Sequence, residues 1–363
     1  MSQLSLHEFH HRLGAQFGEV AGEEAVLHYG DTLAEHAALR QSAGVLDLSF
    51  RGRICIVGAD RARFLHGQVT NNVKDLAPGL GCYAAITTNK GKLQSDLNIH
   101  CLADELLLDF EPGLAAKITE RLEKFVVADD AQIVAVTPHY GLLSVQGPKS
   151  AGVVFALGIF PALPEKLFQS VKVSEATLGD IYLVNLPRTG AAGFDLFVPV
   201  AAMGAVADKL IAAAKQSGGR ACGWLALELA RIGAGIPRFG ADMDETNLPQ
   251  EAGIESRAVS FTKGCYIGQE TINRIRTIGQ VSRALRGLRL PDVLPALPAR
   301  GDKLFYEGKE VGRITSAAVS PVLSANIALG YVRKECNAVG TELTLRNESG
   351  EWSVQVVALP FAV

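Results

Sequence analysis

The texture of the chain changes at Arg283, and that change limits the folds open to it. Before this point short apolar runs of strand character alternate with helical stretches and glycine turns. Beyond it only short β-like runs remain, punctuated by Pro, Gly, Asp and Asn. Leu304 to Tyr306, Gly308 to Ile314, Ile327 to Val332 and Glu342 to Leu345 read as strands, after a linker-like stretch Leu290 to Pro298 that carries three prolines. A run of short strands between turn residues predicts a small β-barrel or sandwich over residues 284–363.

The first part reads differently. Residues 1–45 read as helical, from Leu33, Ala37 and Leu39 at near-helical spacing. Then Arg53 to Gly58 is a strand closed by glycine, and Ala62 to Val69 a helix. Gly81 to Thr88, a turn at Asn89-Lys90-Gly91-Lys92, Leu93 to Cys101 and Glu105 to Phe110 make a strand series that ends in the helix Gly113 to Phe125. A second cycle runs from Gly141 through a helix after Pro148, strands at Ile181 to Leu186 and Phe194 to Val198, and the alanine-rich helix Ala201 to Gln216. Both cycles close a strand with glycine before a helix, at Val57-Gly58 and Gln146-Gly147, which leaves a weak internal duplication open. The rhythm is that of an α+β body with two lobes over residues 1–280.

With 363 residues there is room for two or three domains. A formal charge of −3 gives no general pull toward nucleic acid. The opening MSQLSLHEFHHRL has neither a basic start nor a long apolar run, and the densest apolar stretch, Ala151 to Leu163, is broken by Pro161. These features predict no signal peptide and no membrane span. Six cysteines without CxxC spacing predict reduced thiols in a cytoplasmic protein. His7-Glu8-Phe9-His10-His11 matches HExxH, but no third ligand accompanies it, so no metal site is expected there. There is no Walker loop, and Gly233-Ala234-Gly235 lacks the third glycine of a dinucleotide fold.

The densest chemistry lies in Lys263-Gly264-Cys265-Tyr266-Ile267-Gly268-Gln269-Glu270. Glycines let backbone N–H groups approach a ligand. A nearby ammonium favours the thiolate of Cys265, the form that attacks electrophiles. The bland alternative is a small residue filling a loop. Gln269 and Glu270 are read first as braces of the loop.

These residues, with Leu46 to Arg53, Phe64 to Val73, Arg231 to Pro237, Leu248 to Gly253, Gly312 to Ser316 and Ile327 to Val332 in order, resemble the glycine-cleavage T-protein superfamily. Within it the octapeptide resembles the YgfZ-like folate-binding proteins linked to iron–sulfur cluster maintenance. The resemblance implies a ring of α+β lobes around a central folate cavity, tetrahydrofolate as ligand, and Cys265 on a loop at the cavity mouth. It implies Asp96 and Cys265 as the reactive pair, and Asp96, Arg231, Lys263, Gln269 and Glu270 as folate contacts. It also implies iron–sulfur proteins or their assembly factors as partners, and in relatives an effect on tRNA modification.

Two departures bear on chemistry. T-proteins carry paired acids after a glycine turn, where this chain has Gly91-Lys92-Leu93-Gln94-Ser95-Asp96. Their Tyr-Thr-Gly-Glu stretch corresponds to Arg188-Thr189-Gly190-Ala191, with Asp195 nearby. Loss of acids removes proton acceptors, so the departures favour folate binding with altered or absent transfer. The alternatives are an aminomethyltransferase of the glycine cleavage system and a scaffold that has lost its ligand. Asp96 suits pterin N–H donors as an acceptor, or caps a turn. Arg231 reads as an internal salt bridge or a contact to the folate glutamate tail. The basic series Lys263, Arg274, Arg276, Arg283, Arg286 and Arg289 reads as a solvated face, or as a rim for that tail, RNA or an acidic partner.

Overall fold

The computed structural model describes residues 3–361, apart from the side chain at position 278. The N-terminal stretch is not continuously helical: a helix α1 (His7–Arg12) is followed by a hairpin of β1 (Gln16–Val20) and β2 (Glu23–His28), then α2 (Thr32–Gln41) and β3 (Gly44–Asp47). The hairpin turns at Ala21-Gly22, both at positive φ, 51° and 88°. That backbone cannot continue a helix, and it overrides the helical spacing of the flanking alanines and leucines.

The first cycle then runs β4 (Gly52–Val57), α3 (Arg61–Gln68), β5 (Gly81–Thr87), β6 (Leu93–Cys101), β7 (Glu105–Phe110), α4 (Ala115–Glu123) and β8 (Gln132–Ala135). The second runs β9 (Tyr140–Gln146), α5 (Ser150–Phe155), β10 (Ser170–Glu175), β11 (Gly179–Asn185), β12 (Gly193–Pro199), α6 (Met203–Gln216) and β13 (Arg220–Ala221). Their sheets have corresponding orders, β5-β6-β7-β4-β8 and β10-β11-β12-β9-β3-β13, the second with β3 inserted. Each cycle is thus a strand, a helix, a three-stranded meander that folds back onto the first strand, a helix and a short final strand. The glycines that close the first strand are equivalent as well: Gly58 and Gly147 lie at φ 106° and 120°. A Cβ there would come within 2.2 Å of the Asp130 carbonyl oxygen or 2.6 Å of that of Ser42. The short edge strands β8 and β10 are absent from the sequence expectation: β8 has four residues, and in β10 Val171 and Val173 alternate with polar positions and are flanked by them.

The remainder comprises α7 (Trp224–Gly233), α8 (Glu255–Ala258), α9 (Gln269–Ile278) and the strands β14 (Arg283–Arg289), β15 (Lys303–Tyr306), β16 (Lys309–Ser320), β17 (Ala325–Arg333), β18 (Glu342–Asn347) and β19 (Gly350–Val357). These six strands close into a barrel in the order β14-β17-β16-β15-β18-β19, with β14 pairing β19. Leu288, Leu304, Ile314, Val332, Leu345 and Val356 fill it. Closure removes the exposed edges that an open sheet would carry.

Two compact units result. One holds the chain up to Gln68, Asn72–Tyr83 and Leu97–Ala230; the other holds Val69–Asn71, Ala84–Asp96 and the chain from Arg231 on. In the first, a buried ionic cluster joins the two sheets. Arg188, in the loop before β12, donates from Nε and Nη2 to Asp195 on β12 at 2.9 and 2.6 Å, and from Nη2 to Asp109 on β7 at 2.8 Å. Arg51 donates to Asp109 at 2.8 Å and to Glu111. Asn98 donates to Asp109 at 2.8 Å, and the Ser144 hydroxyl to Asp195 at 2.7 Å. Burial opposes ionisation of Asp109, but the Arg51 and Arg188 guanidiniums override it and hold its carboxyl well below the usual range.

Removing one partner of a buried ion pair leaves a charge uncompensated. Arg188→Met is expected to lower unfolding free energy in urea by about 3–5 kcal/mol. A loss under about 1 kcal/mol, the range of a surface pair, would contradict this role.

Candidate functional site

The two candidate regions of the sequence, the glycine turn before Asp96 and the octapeptide at Lys263, fall in the same compact unit. The turn forms because Gly91 takes φ 71°. Thr88 N and Lys92 O are joined at 2.8 Å, and Gly91 N donates to the Thr88 carbonyl at 2.9 Å. Along β6 burial then alternates: Leu93, Ser95 and Leu97 are buried, Gln94, Asp96 and Asn98 half-buried. Period-2 geometry therefore sends Ser95 and Asp96 to opposite faces. The Ser95 side chain is fully buried and its hydroxyl donates to the Asp96 carbonyl at 2.8 Å. Asp96 occupies the face that is open in part. An acid at position 95 would be a buried charge, and serine avoids that cost.

The octapeptide is pinned at three points. Lys263 is buried, and its Nζ donates to the carbonyls of Val69 at 2.7 Å and Asn71 at 2.9 Å. It also lies 4.9 Å from the Tyr266 ring centroid, a cation–π contact. The Thr87 hydroxyl at the end of β5 donates to the Ile267 carbonyl at 2.6 Å. Upstream, the Thr70 hydroxyl donates to the Ala258 carbonyl at 2.6 Å. Gly268 takes φ 93° as the N-cap of α9, and a Cβ there would lie 2.6 Å from both the Thr87 hydroxyl and the Thr88 carbonyl oxygen. Only glycine fits this position. The ammonium expected beside the Cys265 thiol thus commits two of its three donors to main-chain carbonyls, and the chemistry of Lys263 and Gly268 builds the loop.

The loop presents Cys265. It is exposed, whereas Cys55, Cys101, Cys222 and Cys336 are buried and Cys82 half-buried. Burial pushes the Cys55, Cys101, Cys222 and Cys336 thiols up. Gln269 is half-buried and Glu270 exposed in the first turn of α9, where a carboxylate favours the helix dipole.

Arg231, in the last turn of α7, forms a salt bridge inside the fold. Its Nη1 pairs with Asp242, and its Nη2 donates to the Ser316 hydroxyl at 3.0 Å. Asp242 in turn accepts from the hydroxyls of Thr315 at 2.6 Å and Ser316 at 2.7 Å on β16. The basic series is dispersed. Arg283 pairs with Glu251 at 3.3 Å, Arg286 donates to Asn337 and Leu285 carbonyls, and Arg289 pairs with Asp292 at 2.9 Å. Arg274 and Arg276 remain exposed on α9, with the Arg276 guanidinium 4.0 Å above the Phe261 ring centroid. In the other unit, Asp195 is fully buried in its pairing with Arg188 and Ser144.

The structure therefore gathers Lys263, Cys265, Gln269 and Glu270 on one loop and helix, and seats Asp96 and Arg231 in the same unit on β6 and α7. Within the N-terminal HExxH stretch His7 pairs with Glu24, and His10, between the two motif histidines, pairs with Asp47, each at 2.9 Å. Among the described residues no group of three or more His, Cys, Asp or Glu side chains could hold a metal ion. No described helix is long and apolar enough to cross a membrane.

Two meander-bearing α+β cycles followed by a closed six-stranded barrel define a T-protein fold. The GCVT N-terminal domain family matches residues 6–263, and the glycine cleavage T-protein C-terminal barrel domain family matches residues 283–362. The chain belongs to the glycine-cleavage T-protein family. It is 31% identical over 362 residues to an aminomethyltransferase of Saccharopolyspora erythraea, covering 99% of this chain and 97% of that one. An aminomethyltransferase of Streptomyces coelicolor is 30% identical over 369 residues, with 99% and 97% covered. The crystal structure of glycine cleavage system aminomethyltransferase T from Bartonella henselae superposes with a TM-score of 0.89 at 26% identity, over 99% of this chain and 98% of that one.

The exposure pattern predicts one fast thiol. Under native conditions a thiol-specific disulfide reagent is expected to modify one cysteine per chain rapidly, and Cys265→Ser to remove that phase. Persistence of the fast phase in the variant would show that another cysteine is the accessible one.

Proposed function

We propose that this chain binds tetrahydrofolate and transfers an aminomethyl unit to it, as its full-length relatives are named for doing. Asp96 carries the reading. It is an acid at the position where the family places one, on the half-buried face of β6, and a carboxylate there suits pterin N–H donors. The folate would supply the acceptor for the one-carbon unit, and an aminomethyl-lipoyl carrier protein would supply the unit. Gln269 and Glu270, at the start of α9, are further candidates to line the ligand. Arg231 is neutralised by Asp242 and Lys263 is engaged by carbonyls, so a glutamate tail is better matched by the exposed Arg274 and Arg276. In this reading residues 1–280 form the folate-binding body and 284–363 the barrel domain, in a cytoplasmic protein.

The exposed Cys265 favours a second reading. A thiol at the tip of a loop held by Lys263, Thr87 and Gly268, together with a buried Ser95 in place of one acid, suits a YgfZ-like accessory protein of iron–sulfur cluster assembly or repair. There the chain would keep the folate but not the transfer, and the thiol would meet iron–sulfur proteins or their assembly factors. One thiol is too few ligands for a cluster held by this chain alone. The effect of such relatives on tRNA modification would follow indirectly.

Calorimetric titration with tetrahydrofolate, on wild type and Asp96→Ala, tests the shared part. Binding is expected in the wild type, weakened about tenfold or more in the variant, the size of a lost hydrogen bond to a charged acceptor. Turnover with an aminomethyl-lipoyl donor then favours transfer, and binding without turnover favours the accessory reading. Absence of binding in both proteins would leave neither reading standing and point to a scaffold without ligand.

A further inference from the structure

His100 lies on β6, one pleat beyond Asn98, and is fully buried. Its ring meets Phe197 of β12 edge-on at 5.5 Å and Phe168 at 6.4 Å between centroids. Neither ring nitrogen has a hydrogen-bond partner among the described residues. Across the ladder His100 faces Leu107 of β7, with Asp109 two residues further along the same strand. The charged groups that act on it are Asp109 of β7 and Arg188 of the loop before β12. Behind these stand Arg51, Glu111 and Asp195 in ion pairs, and Arg53, whose guanidinium donates to the carbonyls of Arg51, Ser49 and Tyr140.

Packing between two phenylalanines requires no nitrogen, and a leucine or phenylalanine would fill the place without a desolvated polar atom. A neutral imidazole is tolerated in this setting. An imidazolium would be a fully buried charge with no acceptor for either N–H. We propose that His100 is an acid-sensitive latch between the two sheets of this unit: uptake of a proton by its ring breaks the join made by Arg188, Asp109 and Asp195 and opens β6 from β12.

Burial pulls the His100 pKa down from 6.5 to about 4, with Asp109 drawing it up and Arg188 down. A depressed histidine contributes its full stability above pH 6.5, and loses it as the pH falls toward 4, because the opened state takes up the proton first. Between pH 7 and pH 5 the opening equilibrium is expected to rise about twenty-fold.

Amide hydrogen exchange, corrected for the intrinsic effect of pH, reads that opening in peptides covering β6 and β12. The wild type is expected to open about twenty-fold more at pH 5 than at pH 7, and His100→Leu to lack that component. Nitrogen NMR of the histidine rings in the wild type gives a second readout that does not depend on the variant folding. The His100 ring should stay neutral down to pH 5 and protonate only as β6 and β12 lose protection. A ring that titrates near 6.5 in an intact fold, or an equal acid response in His100→Leu, would overturn the proposal.

Discussion

The contact on which the first unit depends is the two-sided grip of Arg188 on Asp109 and Asp195. The carboxylates belong to different sheets, and each is fully buried. A planar guanidinium can serve both at once, because its N–H donors leave in fixed, divergent directions. Once Arg188 is placed, Asp195 accepts from Ser144 and Asp109 from Asn98 and Arg51. One residue in the loop before β12 thus ties the two meanders together. Arg188 is turned inward from that loop to the two sheets.

Much of the fold could be read from residues. β6 follows from apolar alternation after Asn-Lys-Gly-Lys, β7 from a short apolar run after a charged turn, and the barrel from the change of texture at Arg283. The shared topology of the two cycles was foreshadowed by Gly58 and Gly147, whose positive φ is now explained by carbonyls that crowd both positions. The N-terminal hairpin was hidden because its turn rests on Ala21-Gly22, and alanine at positive φ gives no warning. The helix α9 was hidden because its N-cap is a glycine with left-handed backbone, which reads as loop.

The site was legible in its parts and not in its contacts. Cys265 was singled out by its neighbours, yet the sequence does not reveal that Lys263 reaches back nearly two hundred positions to the carbonyls of Val69 and Asn71. Nor does it reveal that strand periodicity puts Ser95 and Asp96 on opposite faces of β6, which turns an apparent loss of one acid into the avoidance of a buried charge. The ionic cluster does have a sequence signal: Asp109 and Asp195 interrupt strongly apolar strands. An acid that must be buried with such a strand requires a partner.

The claim at the centre of this account is that a folate sits against Asp96. A crystal structure of the chain with tetrahydrofolate tests it directly. The pterin is expected within hydrogen-bond distance of the Asp96 carboxylate. A pterin held elsewhere, with Asp96 remote from it, would overturn that claim even if binding is tight.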